Sequence, residues 1–176
     1  MPITGEDLNR WVADVEYLVA EFLRCFEGRY GYSPDVNGVV RATDADGKQA
    51  VARFVERGIA GDLLEFYSVV REVSLPDLDN GIFVHSPDVV IDGIDGEQPI
   101  EVLGAISGRI TVFASDGGGG LIVQLAEDGR IYKLRWGILV RQRFEVPDDG
   151  LEVFAVNVWG LLERIREDLA QAVSGS

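Results

Sequence analysis

The stretch FASDGGGGLIVQLAEDGRIYKLRWG, residues 113–137, decides how the chain is read. Four consecutive glycines, Gly117 to Gly120, follow Asp116 and precede an apolar run. A phosphate-binding loop needs its glycines to open onto a helix N-terminus, with a Lys for the phosphates and a Ser or Thr for Mg²⁺. Neither follows Gly120. The glycines instead separate RITVF from LIVQL, two apolar runs of strand length, and Glu127-Asp128-Gly129 marks the next turn. The pattern predicts a meander with strands near residues 109–114, 120–125 and 130–134. Its glycines supply positive φ and close backbone approach. Asp116 is expected to hold the turn through bonds from its side chain to the backbone.

Upstream of the meander the periodicity is helical. Leu8, Trp11, Val12, Val15, Leu18, Val19, Phe22 and Phe26 recur at spacings of three and four and form one apolar stripe. Thr4 is placed to cap this helix, Glu6 and Asp7 lie near the positive end of its dipole, and Gly28 and Gly31 end it. Residues 30–49 read as a loop or hairpin with turns at Asn37-Gly38 and Asp46-Gly47. A second helix turns Ala50, Val51, Phe54 and Val55 inward and ends near Gly58. A third, capped by Asp62, carries Leu63, Phe66, Tyr67 and Val70. Pro76 breaks this pattern, and residues 86–104 form either a strand with loops or a short edge hairpin.

Further strands are expected at WGILV and LEVFAV. Asn157 then caps a last helix with Val158, Leu161, Leu162, Ile165, Leu169 and Val173 on its apolar face. Helices, then sheet, then helix describe an α+β fold with an antiparallel or mixed central sheet flanked by helices. The expected organisation is a single domain over residues 1–176, with a helical N-terminal extension (1–60) packed on a core (61–174).

The chain has 176 residues, a length that suits one domain with a sizeable core. Its net charge is -14, and its apolar content of 47% separates that charge from disorder. No apolar run approaches the roughly 18–20 residues of a membrane span, and the N-terminus lacks a charged-then-apolar leader. A single Cys25 fits a reducing compartment, so the expectation is a cytoplasmic protein. Apart from Lys48 and Lys133 every basic residue is Arg, a bias matching a GC-rich bacterial genome. Acidity argues against direct nucleic-acid binding, which depends on Lys and Arg, and is compatible with a basic protein partner.

Catalytic and metal chemistry find little support. His85 is the only histidine, and its sequence neighbours Ser86 and Asp88 do not form a triad, because adjacent strand positions point to opposite faces. ATDADG, registered on Gly47, puts Ala42 and Arg53 where a calcium loop needs acids; Gly96 registered the same way puts Ile91 first. One Cys and one His exclude a structural zinc site, and Cys25 reads as a small core residue beside the first apolar stripe. No enzyme activity, cofactor or metal is expected.

Charge segregation is more informative. Between Arg71 and Arg109 there is no Lys or Arg, while Glu72, Asp77, Asp79, Asp88, Asp92, Asp95, Glu97 and Glu101 fall in that gap. The opposite sign gathers at Arg130, Lys133, Arg135, Arg141 and Arg143. Two readings stay open: cross-strand pairing of the two clusters, or a rim left unpaired for a basic partner. The candidate partner-binding residues are Asp88, Asp92, Asp95, Glu97 and Glu101, with the sheet face around Tyr132 and Trp136 as the other candidate interface.

The order of DLLEFYSVVREVSLPDLDNGIFVHSPDVV, ITVFASDGGGGLIVQL, DGRIYKL and VWGLLERIREDLA resembles the SUKH superfamily, which includes yeast cell-wall-synthesis regulators and many bacterial immunity proteins. Leu75-Pro76 and the Phe-x-Ser-Asp-Gly-Gly-Gly-Gly stretch are its most specific parts, and it covers roughly residues 62–173. Many members place a helix between the Leu-Pro pair and the Asn-Gly turn, whereas here Asn80-Gly81 comes almost at once. The resemblance implies a protein-binding α+β domain that neutralises a polymorphic toxin, often a nuclease. The alternative is a regulatory module of the same fold acting on a cellular enzyme or scaffold. No membrane partner is expected, and the oligomeric state stays open.

Overall fold

A computed structural model describes residues 2–175. The chain opens with α1 (Gly5–Tyr30), whose N-terminus carries a reciprocal cap: Asp7 N–H donates to the Thr4 hydroxyl, and Thr4 N–H donates to the Asp7 carboxylate. The helix runs through Gly28 and stops at Gly31, in the left-handed conformation. Leu8, Trp11, Val12, Val15, Val19, Phe22 and Phe26 are buried along it. Cys25, expected in the core, is half-buried and free.

Next come β1 (Gly38–Arg41), α2 (Asp44–Glu56), α3 (Asp62–Val69) and β2 (Val70–Leu75). Several local expectations are corrected here. Asp46-Gly47 is no turn but part of the first turns of α2, which Thr43 caps by accepting from Asp46 N–H. A Cβ at Gly47 would lie 2.3 Å from the Ser68 carbonyl, so α2 meets α3 almost backbone to backbone. Val55 points to solvent and Val51 is only half-buried. Asp62 is the first helical residue of α3, whose cap position is Gly61. Val70 is already strand, because α3 runs into β2 without a loop.

The remainder is β3 (Ile82–Val84), α4 (Pro87–Asp95), β4 (Glu101–Gly104), β5 (Gly108–Asp116), β6 (Leu121–Leu125), β7 (Ile131–Leu134), β8 (Ile138–Val140), β9 (Arg143–Val146), a 3-10 turn (Asp148–Gly150), β10 (Leu151–Ala155) and α5 (Val158–Ser174). Residues 86–104, read as strand with loops or as a hairpin, are instead a helix followed by a strand. Ser86 stands at the cap position and Pro87 at the start of α4, where a missing N–H costs nothing. Asn157 caps α5 by accepting from Gly160 N–H at 2.8 Å.

The architecture is α+β with a mixed sheet. The run β1-β2-β3-β5-β6-β7-β10 is antiparallel throughout. A branch leaves the start of β5 through β4, which pairs in parallel with β9, and ends on β8. Residues 2–60 contribute the edge strand β1 and the helices α1 and α2, so the N-terminal extension is part of the sheet and its cover. One core gathers α1, α3 and α5 over Phe113, Ala114, Ile122 and Ile131. A second lies on the opposite face, where Val112, Val123, Tyr132 and Leu134 meet Val102, Phe144 and Val146 from the branch. This double cover explains why LIVQL alternates poorly: both faces of β6 are buried.

Candidate functional site

Within the glycine run, Asp116 accepts the N–H groups of Gly118 at 3.0 Å and Gly120 at 2.7 Å, and its carboxylate also meets the Lys133 ammonium. The other two donors go to backbone carbonyls, Gly117 N–H to Asn80 at 2.8 Å and Gly119 N–H to Asp116 at 3.3 Å, so all four are spent within the chain. Burial alone would raise the Asp116 pKa, but Lys133 and the two N–H groups outweigh it and hold the carboxyl below the usual range. The run joins β5 to β6 as a structural turn.

His85 lies at the end of β3, half-buried, and burial lowers its pKa against the raising influence of Glu72. Its carbonyl accepts the Tyr67 hydroxyl at 2.7 Å. Ser86 stands at the cap position of α4, where its side chain makes no capping hydrogen bond. Among the described residues, no group of three or more His, Cys, Asp or Glu is placed to hold a metal ion, and no helix is long and apolar enough to cross a membrane.

The acidic candidates divide into two sets. Asp88 pairs with Arg53 at 2.6 Å and with Arg71 at 3.2 Å, Asp95 pairs with Arg57, and Glu101 pairs with Arg143 at 3.1 Å. The hydrogen bonds from Arg53 and Arg57 are the main reason that the Asp88 and Asp95 carboxyls titrate below the usual range. Asp92 and Glu97 are exposed and have no cation partner among the described residues. Only Glu101 follows the expected cross-strand pairing. Asp88 and Asp95 are neutralised by Arg53 in α2, Arg57 at its C-terminal end and Arg71 in β2, which lie far away in sequence and come close only because α2 packs against α4.

Tyr132 and Trp136 also separate. Tyr132 is 5% exposed in the second core, so it cannot meet a partner. Trp136 is 54% exposed and leads into β8. That strand ends the branch of the sheet, and its three residues are all apolar and all exposed, Ile138 at 62%. Alternation puts Trp136, Ile138 and Val140 on one face, beside Glu145 and Arg143 of β9. An open groove of about 440 Å³ runs along this edge between Leu103-Gly104, Trp136-Ile138 and Glu145-Pro147.

The tip of the β8–β9 hairpin is fixed to the end of α4. Gln142 donates Nε2–H to the Ile94 carbonyl at 2.7 Å, and its own carbonyl accepts Ile100 N–H at 2.9 Å. Glu97, just past the end of α4, and the apolar edge therefore lie on adjoining surface. At the other end of the edge, Glu145, Asp148 and Asp149 are exposed without ion pairs among the described residues. The sequence showed the apolar WGILV and the acids separately. That they adjoin is set by the parallel β4–β9 pairing, which no local pattern reveals.

No protein-family model, curated protein or solved structure matches this chain.

Proposed function

We propose that the protein is an immunity-type inhibitor that binds and occludes a basic toxin domain, one that itself holds nucleic acid. The observation that carries this reading is the open apolar strand β8, bordered by Glu97 on one side and by Glu145, Asp148 and Asp149 on the other, with Arg141 at the hairpin tip. Sheets normally blunt their edges with charge, because a free strand edge is a template for another chain. Here the edge is apolar while charge stands around it, the arrangement of a binding surface with an apolar centre and a polar border. A nuclease must carry Lys and Arg to hold phosphates. An inhibitor of net charge -14 is drawn to that surface from a distance. The resemblance to immunity proteins supports the same reading.

The test is neutralisation in cells. Toxin domains encoded beside this gene are expressed alone and together with the protein. The reading expects growth arrest in the first case and growth in the second, and arrest in both for every such toxin would end it.

A further inference from the structure

A second concavity, sharing no residue with the β8 edge, lies between the α2–α3 connection and the meander. It measures about 330 Å³ and is bordered by Gly58 to Asp62, Arg109, Thr111 and Gln124. In so acidic a chain its lining is unusual, because donors dominate. Arg109 has no carboxylate within ion-pair distance among the described residues, and its guanidinium lies over the connection, where a Cβ at Gly58 would meet Nη2 at 3.5 Å. The N-cap position of α3, Gly61, offers no side chain to the first turn. The N–H groups of Gly61 and Asp62 find no acceptor among the described residues. The Thr111 hydroxyl likewise has no partner among the described residues. Asp62, half-buried, is the one lining carboxylate.

Gln124 supplies an independent pointer. It is only 9% exposed, and its Nε2 is used on the Gly129 carbonyl at 3.3 Å. Its Oε1 has no donor among the described residues, yet no buried side-chain oxygen is sealed off unsatisfied. That oxygen is therefore reached by solvent, and Gln124 borders the cavity. A buried carboxamide with a free acceptor asks for an N–H or O–H. A guanidinium and uncapped helix N–H groups ask for an anion.

We infer that this cavity binds a small oxyanion that also carries a donor, a protonated phosphate or phosphomonoester being the simplest case. Arg109 holds the charge, the Gly61 and Asp62 N–H groups take two oxygens, and Gln124 Oε1 accepts the ligand's O–H. The phosphate could arrive as a free small molecule or on a phosphorylated protein segment.

The test titrates the full-length ¹⁵N-labelled protein with inorganic phosphate at pH 6, with sodium chloride holding the ionic strength constant and with sulfate as a parallel ligand. Saturable shifts at the Gly61 and Asp62 amides and the Gln124 side-chain amide are expected. Phosphate should bind more tightly than sulfate, which offers no O–H. Arg109→Met alters an exposed side chain, leaves the fold intact, and should weaken phosphate binding about tenfold, the loss of one charge-assisted bond. A phosphoserine peptide binding more tightly than glycerol phosphate would identify a protein-borne source, and the reverse order a free one. Shifts that stay linear, fall elsewhere, or persist unchanged in Arg109→Met would overturn the inference. None of these outcomes bears on binding at the β8 edge.

Discussion

The Trp11 indole in α1 donates its Nε1–H to the Leu162 carbonyl in α5 at 2.8 Å, joining positions 151 residues apart. Both residues are about 1% exposed. The first and last helices thus share one core, and neither can be removed without uncovering the other. Trp11→Phe keeps most of the packing and should cost about 1–3 kcal/mol for the lost bond. Trp11→Ala should cost about 3–5 kcal/mol. Both are measurable by chemical denaturation. Deleting residues 1–29 should yield aggregates, and a stable, monomeric truncated chain would contradict this packing.

The glycine run separates two reasons for glycine. Only Gly119 among the four has a positive φ, +86°, and a Cβ there would meet open space. Gly117 does not have a positive φ, but its Cβ would lie 2.1 Å from the Asn80 carbonyl, to which its own N–H donates at 2.8 Å. Gly119→Ala should therefore cost only the left-handed strain, about 1–2 kcal/mol. Gly117→Ala must push two backbone segments apart and should lower Tm further. Equal losses in thermal melts would refute the distinction.

Acid should release the same loop. Because the folded Asp116 carboxyl is held below its unfolded value, its contribution to stability is complete above about pH 4. It fades as pH falls from there through the lowered folded value. Asp116→Asn should reduce stability at pH 7 by about 1–3 kcal/mol through the loss of the Lys133 contact. The two stability curves should converge towards pH 2. Curves that stay parallel between pH 7 and pH 2 would show that Asp116 does not titrate in this way.

Much of this fold is legible in the residues. The α1 stripe, the Thr4 and Asn157 caps and the meander all follow from local periodicity and turn chemistry. Other elements are hidden for definable reasons. In α4 the run Val89-Val90-Ile91 is β-branched and the helix has only nine residues, too short for its period to outweigh strand-like composition. Within β9, Arg143 and Glu145 are exposed and only Phe144 and Val146 are buried, a pattern two residues deep on each face. Arginine pairing at Asp88 and Asp95 depends on α2 meeting α4, and Tyr132 turns inward because the β4–β9 branch covers its side of the sheet. These are tertiary relations that no window of sequence contains.

If the β8 edge and its acids bind a basic toxin domain, association kinetics will register each of them separately. Purified toxin domain is passed over immobilised protein, comparing the natural chain with Ile138→Lys and with Asp92→Lys/Glu97→Lys. All three altered side chains are exposed, so each variant should melt within about 0.5 kcal/mol of the natural chain. The acid reversal should slow association, most strongly at low salt. Ile138→Lys, in the apolar centre, should speed dissociation by about tenfold or more. A toxin that binds both variants with unchanged rates at low salt would contradict the account.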